Sequence, residues 1–195
     1  MNPLTSIKGT IALGFVLAIL AAFFIFPNTG FNSAELVVWL HVIFGITWIG
    51  LLYYFNFVQV PAMGEALADE GGPGPAAIGK YVAPRALLWF RMSAAMTWLT
   101  GAAALENTVG LVDAFTFSAG AEVIGLGAWL GTIMLFNVWA IIWPCQKKIL
   151  GMVEASAEEI AKAKFTAAMA SRTNVALSVP MLLEMTAFGH GGNLF

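Results

Sequence analysis

Charge is scarce in this sequence. Only 10% of its 195 residues are charged, against about 25% in an ordinary soluble domain. Nine Lys and Arg face eleven Asp and Glu, for a net charge of −2, so there is no basic excess of the kind a nucleic-acid interface needs. The single cysteine, Cys145, excludes an intrachain disulfide framework and a four-cysteine zinc site. It also excludes covalent c-type haem attachment, which needs two cysteines followed by histidine. What fills the space is apolar: 59% of the residues, with a mean hydropathy of +0.83. Twenty glycines and seven tryptophans suit helices that pack closely within a bilayer and carry indoles at its boundary. The chain reads as an all-α integral membrane bundle, a single domain over 1–195.

A spanning helix needs roughly 20 mostly apolar residues. Five stretches qualify, at about 9–26, 36–60, 86–105, 122–143 and 174–188. The first is expected to end at the turn signal Pro27-Asn28-Thr29-Gly30, the second at Pro61 and the fourth at Pro144. The first also has features of a signal peptide, with Lys8 before it and Asn32-Ser33-Ala34 after it, and is read as a retained span. Every Lys and Arg lies before the first span, around the 2–3 connection, or between spans four and five. The positive-inside rule then places the N-terminus in the cytoplasm and the C-terminus outside. Residues 64–79, with Gly71-Gly72-Pro73-Gly74-Pro75, read as a flexible cytoplasmic loop. Ser156 followed by Glu159 is a capping box, so a helix is expected to start there and run on into the last span as a cytoplasmic extension.

Two histidines are present, His41 in span two and His190 at the end of span five. On this topology both lie toward the outer face. A neutral imidazole is an axial ligand for haem iron, and a pair of them would hold haem b. The alternative is a buried His41 bonded to a carbonyl and His190 in an ordinary tail. At helical spacing His41, Gly45, Trp48, Leu52, Asn56 and Gln59 share one stripe, on which Gly45 is expected to clear room for a flat ring. Plain small-residue packing, as at Gly127 and Gly131, competes with that reading. Arg91, Asn137 and Glu184 are further polar groups within spans and should face protein, a cofactor or water. Met181 and Met185 are fallback iron ligands or core residues, and Cys145 reads as inert.

Three runs of residues are distinctive together. One is Trp39-Leu40-His41-Val42-Ile43-Phe44-Gly45-Ile46-Thr47-Trp48, continuing through Asn56-Phe57-Val58-Gln59-Val60-Pro61. The second is Asn137-Val138-Trp139-Ala140-Ile141-Ile142-Trp143-Pro144, and the third Ser171-Arg172-Thr173-Asn174 with Leu177-Ser178-Val179-Pro180-Met181. Together they resemble the membrane domain of the bacterial urate hydroxylase family, also described as urate oxidase N-terminal. More distantly, His41 and Arg172-Thr173-Asn174 resemble the haem-binding membrane protoporphyrinogen oxidases. The resemblance implies a bacterial inner-membrane haem b protein with His41 as first ligand. It makes Arg172 and Asn174 further residues of interest. Members of the first family commonly carry a cytochrome c domain, and no Cys-x-x-Cys-His occurs in this sequence. Electrons are therefore expected to pass to a separate acceptor such as a cytochrome c.

Two functions follow: a haem b oxidoreductase or electron-transfer subunit, and a non-catalytic structural subunit of a larger membrane complex or homo-oligomer. A transporter finds little support, since the spans show no inverted repeat. Catalytic residues are not identified by the sequence.

Overall fold

The computed structural model describes residues 2–25 and 30–191. Within them the chain is all-α, with no strand. The expected turn at Pro27-Asn28-Thr29 and the last residue of the first span, Phe26, lie outside the described residues.

The first compact unit, Met1–Ser33, contains a 3-10 turn, Pro3–Thr5, and helix α1, Ile7–Ile25. Apolar residues surround α1 on all sides and none is buried. The second unit, Ala34–Phe195, holds the rest. Helix α2 runs over Ser33–Ala68 and α5 over Glu122–Ile149. Between them lie α3, Ala83–Glu106, and a short α4, Leu111–Phe115. The chain ends in α6, Ala157–Gly189. By length and composition, α1, α2 and α5 can each cross a membrane. The stretches expected as spans three and five are helical too. Ala, Gly, Ser and Thr make up much of α3, and α6 begins with charged turns, which lowers the mean hydropathy of both.

The prolines do not end the helices. Pro61 and Pro144 were expected as stops, yet α2 continues to Ala68 and α5 to Ile149. The reason is local. A proline within a helix clashes with the carbonyl four residues back and donates no hydrogen bond. In this chain Phe55–Gln59 precedes Pro61, Ile78–Val82 precedes Pro84 and Asn137–Ile142 precedes Pro144, and each of these segments is wound as a π-turn. The wider turn holds the very carbonyl that the ring would strike. Helix thus extends into both ends of the expected 64–79 loop.

Helix α6 starts where the capping box predicts. Ser156 Oγ accepts from the Glu159 backbone N–H at 3.2 Å, and the Glu159 carboxylate accepts from the Ser156 N–H at 2.9 Å. That backbone donor, helped by Lys148 Nζ at 3.1 Å, holds the Glu159 carboxyl below its usual range. The helix then runs unbroken through Pro180 to Gly189, roughly 50 Å at 1.5 Å per residue.

Trp48, Leu52 and Phe55 of α2, Leu87 and Phe90 of α3, Met134 and Val138 of α5, and Met181 of α6 form the main core. A second cluster joins Leu105 and Ala114 to Ile124 and Ala128. Gly125 admits the α4 turn, since a Cβ there would collide with the Ala114 carbonyl. Polar ties cross the bundle. Asn137 Nδ2 donates to Asn174 Oδ1 at 2.8 Å, and Asn174 Nδ2 donates to the Met134 carbonyl at 3.0 Å. Asn56 Nδ2 reaches Ser171 Oγ at 2.8 Å, Tyr53 Oη lies 2.9 Å from Ser178 Oγ, and Trp98 Nε1 donates to Thr132 Oγ1 at 2.9 Å. Asn174 is fully buried, and removing it strands the Asn137 side-chain amide. Asn174→Ala should lower stability by about 1–3 kcal/mol, read from unfolding in detergent; a loss below a few tenths would show that the tie contributes nothing.

Candidate functional site

His41 lies on α2 just over two turns from its start, and its ring rests on α3. Nδ1 is 2.8 Å from the Thr97 carbonyl oxygen. A carbonyl can only accept, so Nδ1 carries a proton, which in a neutral imidazole leaves the lone pair on Nε2. Nε2 makes no hydrogen bond among the described residues. Histidines that ligate metals are oriented in the same way, donating the other ring N–H to a carbonyl or carboxylate. Two residues make the placement possible. Gly101 lies under the ring: a Cβ there would stand 2.8 Å from His41 Cε1 and 2.9 Å from Nδ1, closer than real side chains approach. Thr97 presents its carbonyl, which also accepts from Thr100 Oγ1 at 3.1 Å.

The other expected site residues fall in several places. Gly45 packs beside Thr97, where a Cβ would lie 3.8 Å from Thr97 Cγ2; its room is taken up by the contact with α3. Trp48 is 2% exposed, and its Nε1 has no hydrogen-bond partner. Further along the same helix Gln59 Oε1 is also buried and unpartnered. Buried polar atoms without partners are rare enough to need a reason. His190 caps α6, exposed, with Nδ1 2.9 Å from the Thr186 carbonyl of its own helix. No hydrogen bond or ring contact joins it to His41 among the described residues.

Met181 is buried in the main core, and Met185 packs against both clusters. Glu184 is half-buried, and its Cβ faces Gly127 of α5, where an added Cβ would sit 3.3 Å away. Arg91 lies over the Trp143 ring, 3.9 Å from its centroid. Asn137 and Asn174 form the buried tie described above, and Arg172 is exposed. Among the described residues no three His, Cys, Asp or Glu side chains gather as a metal cluster.

Thr97 and Gly101 were not singled out in the sequence. Their signal was there: Ser93, Thr97 and Gly101 recur every fourth residue and so mark one small-residue face of α3.

The described architecture is a bundle of apolar helices with a tautomer-fixed histidine held between α2 and α3. Residues 107–192 match the family model described as urate oxidase N-terminal. That match covers less than half of the chain; it contains the Asn137 and Ser171 motifs and lies beyond His41. No curated protein and no solved structure matches the chain.

Gly101→Ala should push the imidazole off the Thr97 carbonyl. In ¹⁵N-histidine-labelled protein, the His41 signal should leave the Nδ1–H tautomer position while that of His190 stays. An unmoved His41 signal would mean that Gly101 does not set the ring.

Proposed function

We propose that this chain is a membrane redox subunit that binds haem b through His41 and passes electrons to a separate acceptor such as a cytochrome c. The observation that carries this reading is the His41 imidazole, fixed by the Thr97 carbonyl at Nδ1 and uncommitted at Nε2. What supports haem as the group is the ligand chemistry. A porphyrin supplies the equatorial ligands of its iron, so the protein needs to provide only axial ones. His41 is in the required state, and Gly101 keeps its ring in place. The unpartnered Trp48 Nε1 on the same helix is a donor awaiting an acceptor. His190, whose Nδ1 is likewise bound to a carbonyl, is the second candidate ligand, with Met181 and Met185 behind it. When bound, the haem would supply one-electron redox chemistry; the chain's part is to orient the imidazole, exclude water and set the polarity around the iron.

The membrane setting is part of the proposal: five spans in the bacterial inner membrane, N-terminus in the cytoplasm and C-terminus outside. Its support is the bundle's outer surface. Val42, Ile46 and Phe57 on α2, Ile133 and Phe136 on α5, and Val179 on α6 are all exposed, more apolar area than a soluble monomer tolerates. The distribution of cations supports the orientation.

A reduced-minus-oxidised spectrum of the purified protein should show the sharp bands of haem b. His41→Ala should abolish them, and His190→Ala should keep the haem while changing its spin state or potential. Unchanged bands in His41→Ala would overturn the assignment. Protein that folds without any haem would instead favour the structural-subunit reading, with the His41–Thr97 bond serving as a helix cross-link. A C-terminal reporter active only in the cytoplasm should stay silent, and an active one would reverse the topology.

A further inference from the structure

The Thr97 carbonyl meets more donors than its lone pairs can serve. Inside α3 it belongs to the helix's own hydrogen-bond ladder. His41 Nδ1–H reaches it from α2 at 2.8 Å, and Thr100 Oγ1 reaches it from further along α3 at 3.1 Å. A carbonyl oxygen has two lone pairs, so three donors crowd it. Thr100 has a choice that the others lack. Its one hydroxyl proton can go to the Met96 carbonyl, 2.7 Å away, or to the Thr97 carbonyl. Ser93 and Thr97 direct their hydroxyls back along α3 in the same manner, Ser93 Oγ to the Trp89 carbonyl and Thr97 Oγ1 to the Ser93 carbonyl, each at 2.7 Å. Neither of those bonds ends on the carbonyl that holds His41. His190 supplies a contrast within the chain, since its Nδ1 partner is the Thr186 carbonyl of its own helix.

We infer that Thr100 is a positioning residue for His41: its hydroxyl shares the Thr97 carbonyl with the imidazole, and that sharing sets how strongly Nδ1–H is held. Each donor draws electron density from the oxygen, so a carbonyl divided between two donors binds each less tightly. When the Thr100 proton turns to Met96, the Thr97 oxygen is left to His41 and to its own ladder. A firmer pull on Nδ1–H leaves more electron density on Nε2. Carbonyls behind metal-ligating histidines strengthen them as ligands in this way. Hydrogen bonding beyond the axial ligand is also one of the protein's means of setting a haem potential. Gly101 fixes where the ring lies; Thr100 fixes how hard it is held. The consequence for a potential rests on the haem reading of His41. The sharing itself belongs to the chain alone and is measurable without any cofactor.

Thr100→Val removes the hydroxyl and keeps the branched shape, Thr100→Ala removes both, and Thr100→Ser keeps the hydroxyl. In ¹⁵N-histidine-labelled protein without haem, the His41 Nδ1–H proton signal should move downfield in Thr100→Val and Thr100→Ala, as its hydrogen bond shortens. It should stay at the wild-type position in Thr100→Ser, and the His190 signal should stay put in all three. In haem-loaded protein the midpoint potential of Thr100→Val should fall below that of wild type, because a more electron-rich ligand favours the oxidised iron. Thr100→Ser should match wild type. An unmoved His41 signal in both hydroxyl-free variants overturns the inference. So does an equal shift in Thr100→Ser, which would make the effect one of packing. A moved signal with an unchanged potential overturns the role toward the metal. Protein that takes up no haem at all sinks the haem reading, while the cofactor-free spectra still decide whether Thr100 shares the carbonyl.

Discussion

Most polar side chains between helices that lie out of reach of water find their partners in the protein, and this tendency orders the bundle. Four helix pairs of the main core, α2–α3, α2–α6, α3–α5 and α5–α6, are tied by an amide, hydroxyl, indole or imidazole that reaches across to its neighbour. Helix α6 carries much of the load. Ser171, Asn174 and Ser178 recur at helical spacing, meeting α2 at Asn56 and Tyr53 and α5 at Asn137. His41 makes the equivalent link from α2 to α3. A bundle without such ties would rest on packing alone, and apolar packing is weakly directional. The ties are what give the helices a register.

Close approach is the second half of the arrangement. Gly101 lets an imidazole lie on α3, Gly127 lets Glu184 and Met185 lie on α5, and Gly125 admits the α4 turn. These glycines serve different neighbours, which is why a general count of small residues did not separate them. Gly131, paired with Gly127 in the sequence pattern, has nothing within 4 Å of where a Cβ would stand. The small-residue motif was half a contact.

Much of this was legible beforehand, and the limits have physical causes. The capping box at Ser156 and Glu159 was readable because it is a local exchange of hydrogen bonds. The stripe through Trp48, Leu52 and Gln59 was readable because burial follows helical period, and all three are buried. Gly45 was identified as important, but its neighbour is Thr97, a residue more than fifty positions away that no local pattern supplies. The prolines misled because a proline's usual effect is to stop a helix, whereas here a π-turn absorbs the clash. The motifs that carried the family resemblance acquire a structural meaning as well: Asn56 and Asn137 each lie in a π-turn and each donates across to α6.

A π-turn is in effect one residue too many for a regular helix. Each residue of an α-helix advances the face by about 100°, so losing one from Asn137–Ile142 would straighten the turn and swing everything after it. Trp143 would leave Arg91, and Lys148 would lose Glu159. Substitutions within such a segment change only a side chain, while a single-codon deletion rewrites the whole of the helix beyond it. The three π-turns should therefore be places where sequences of this kind vary in letters but not in length.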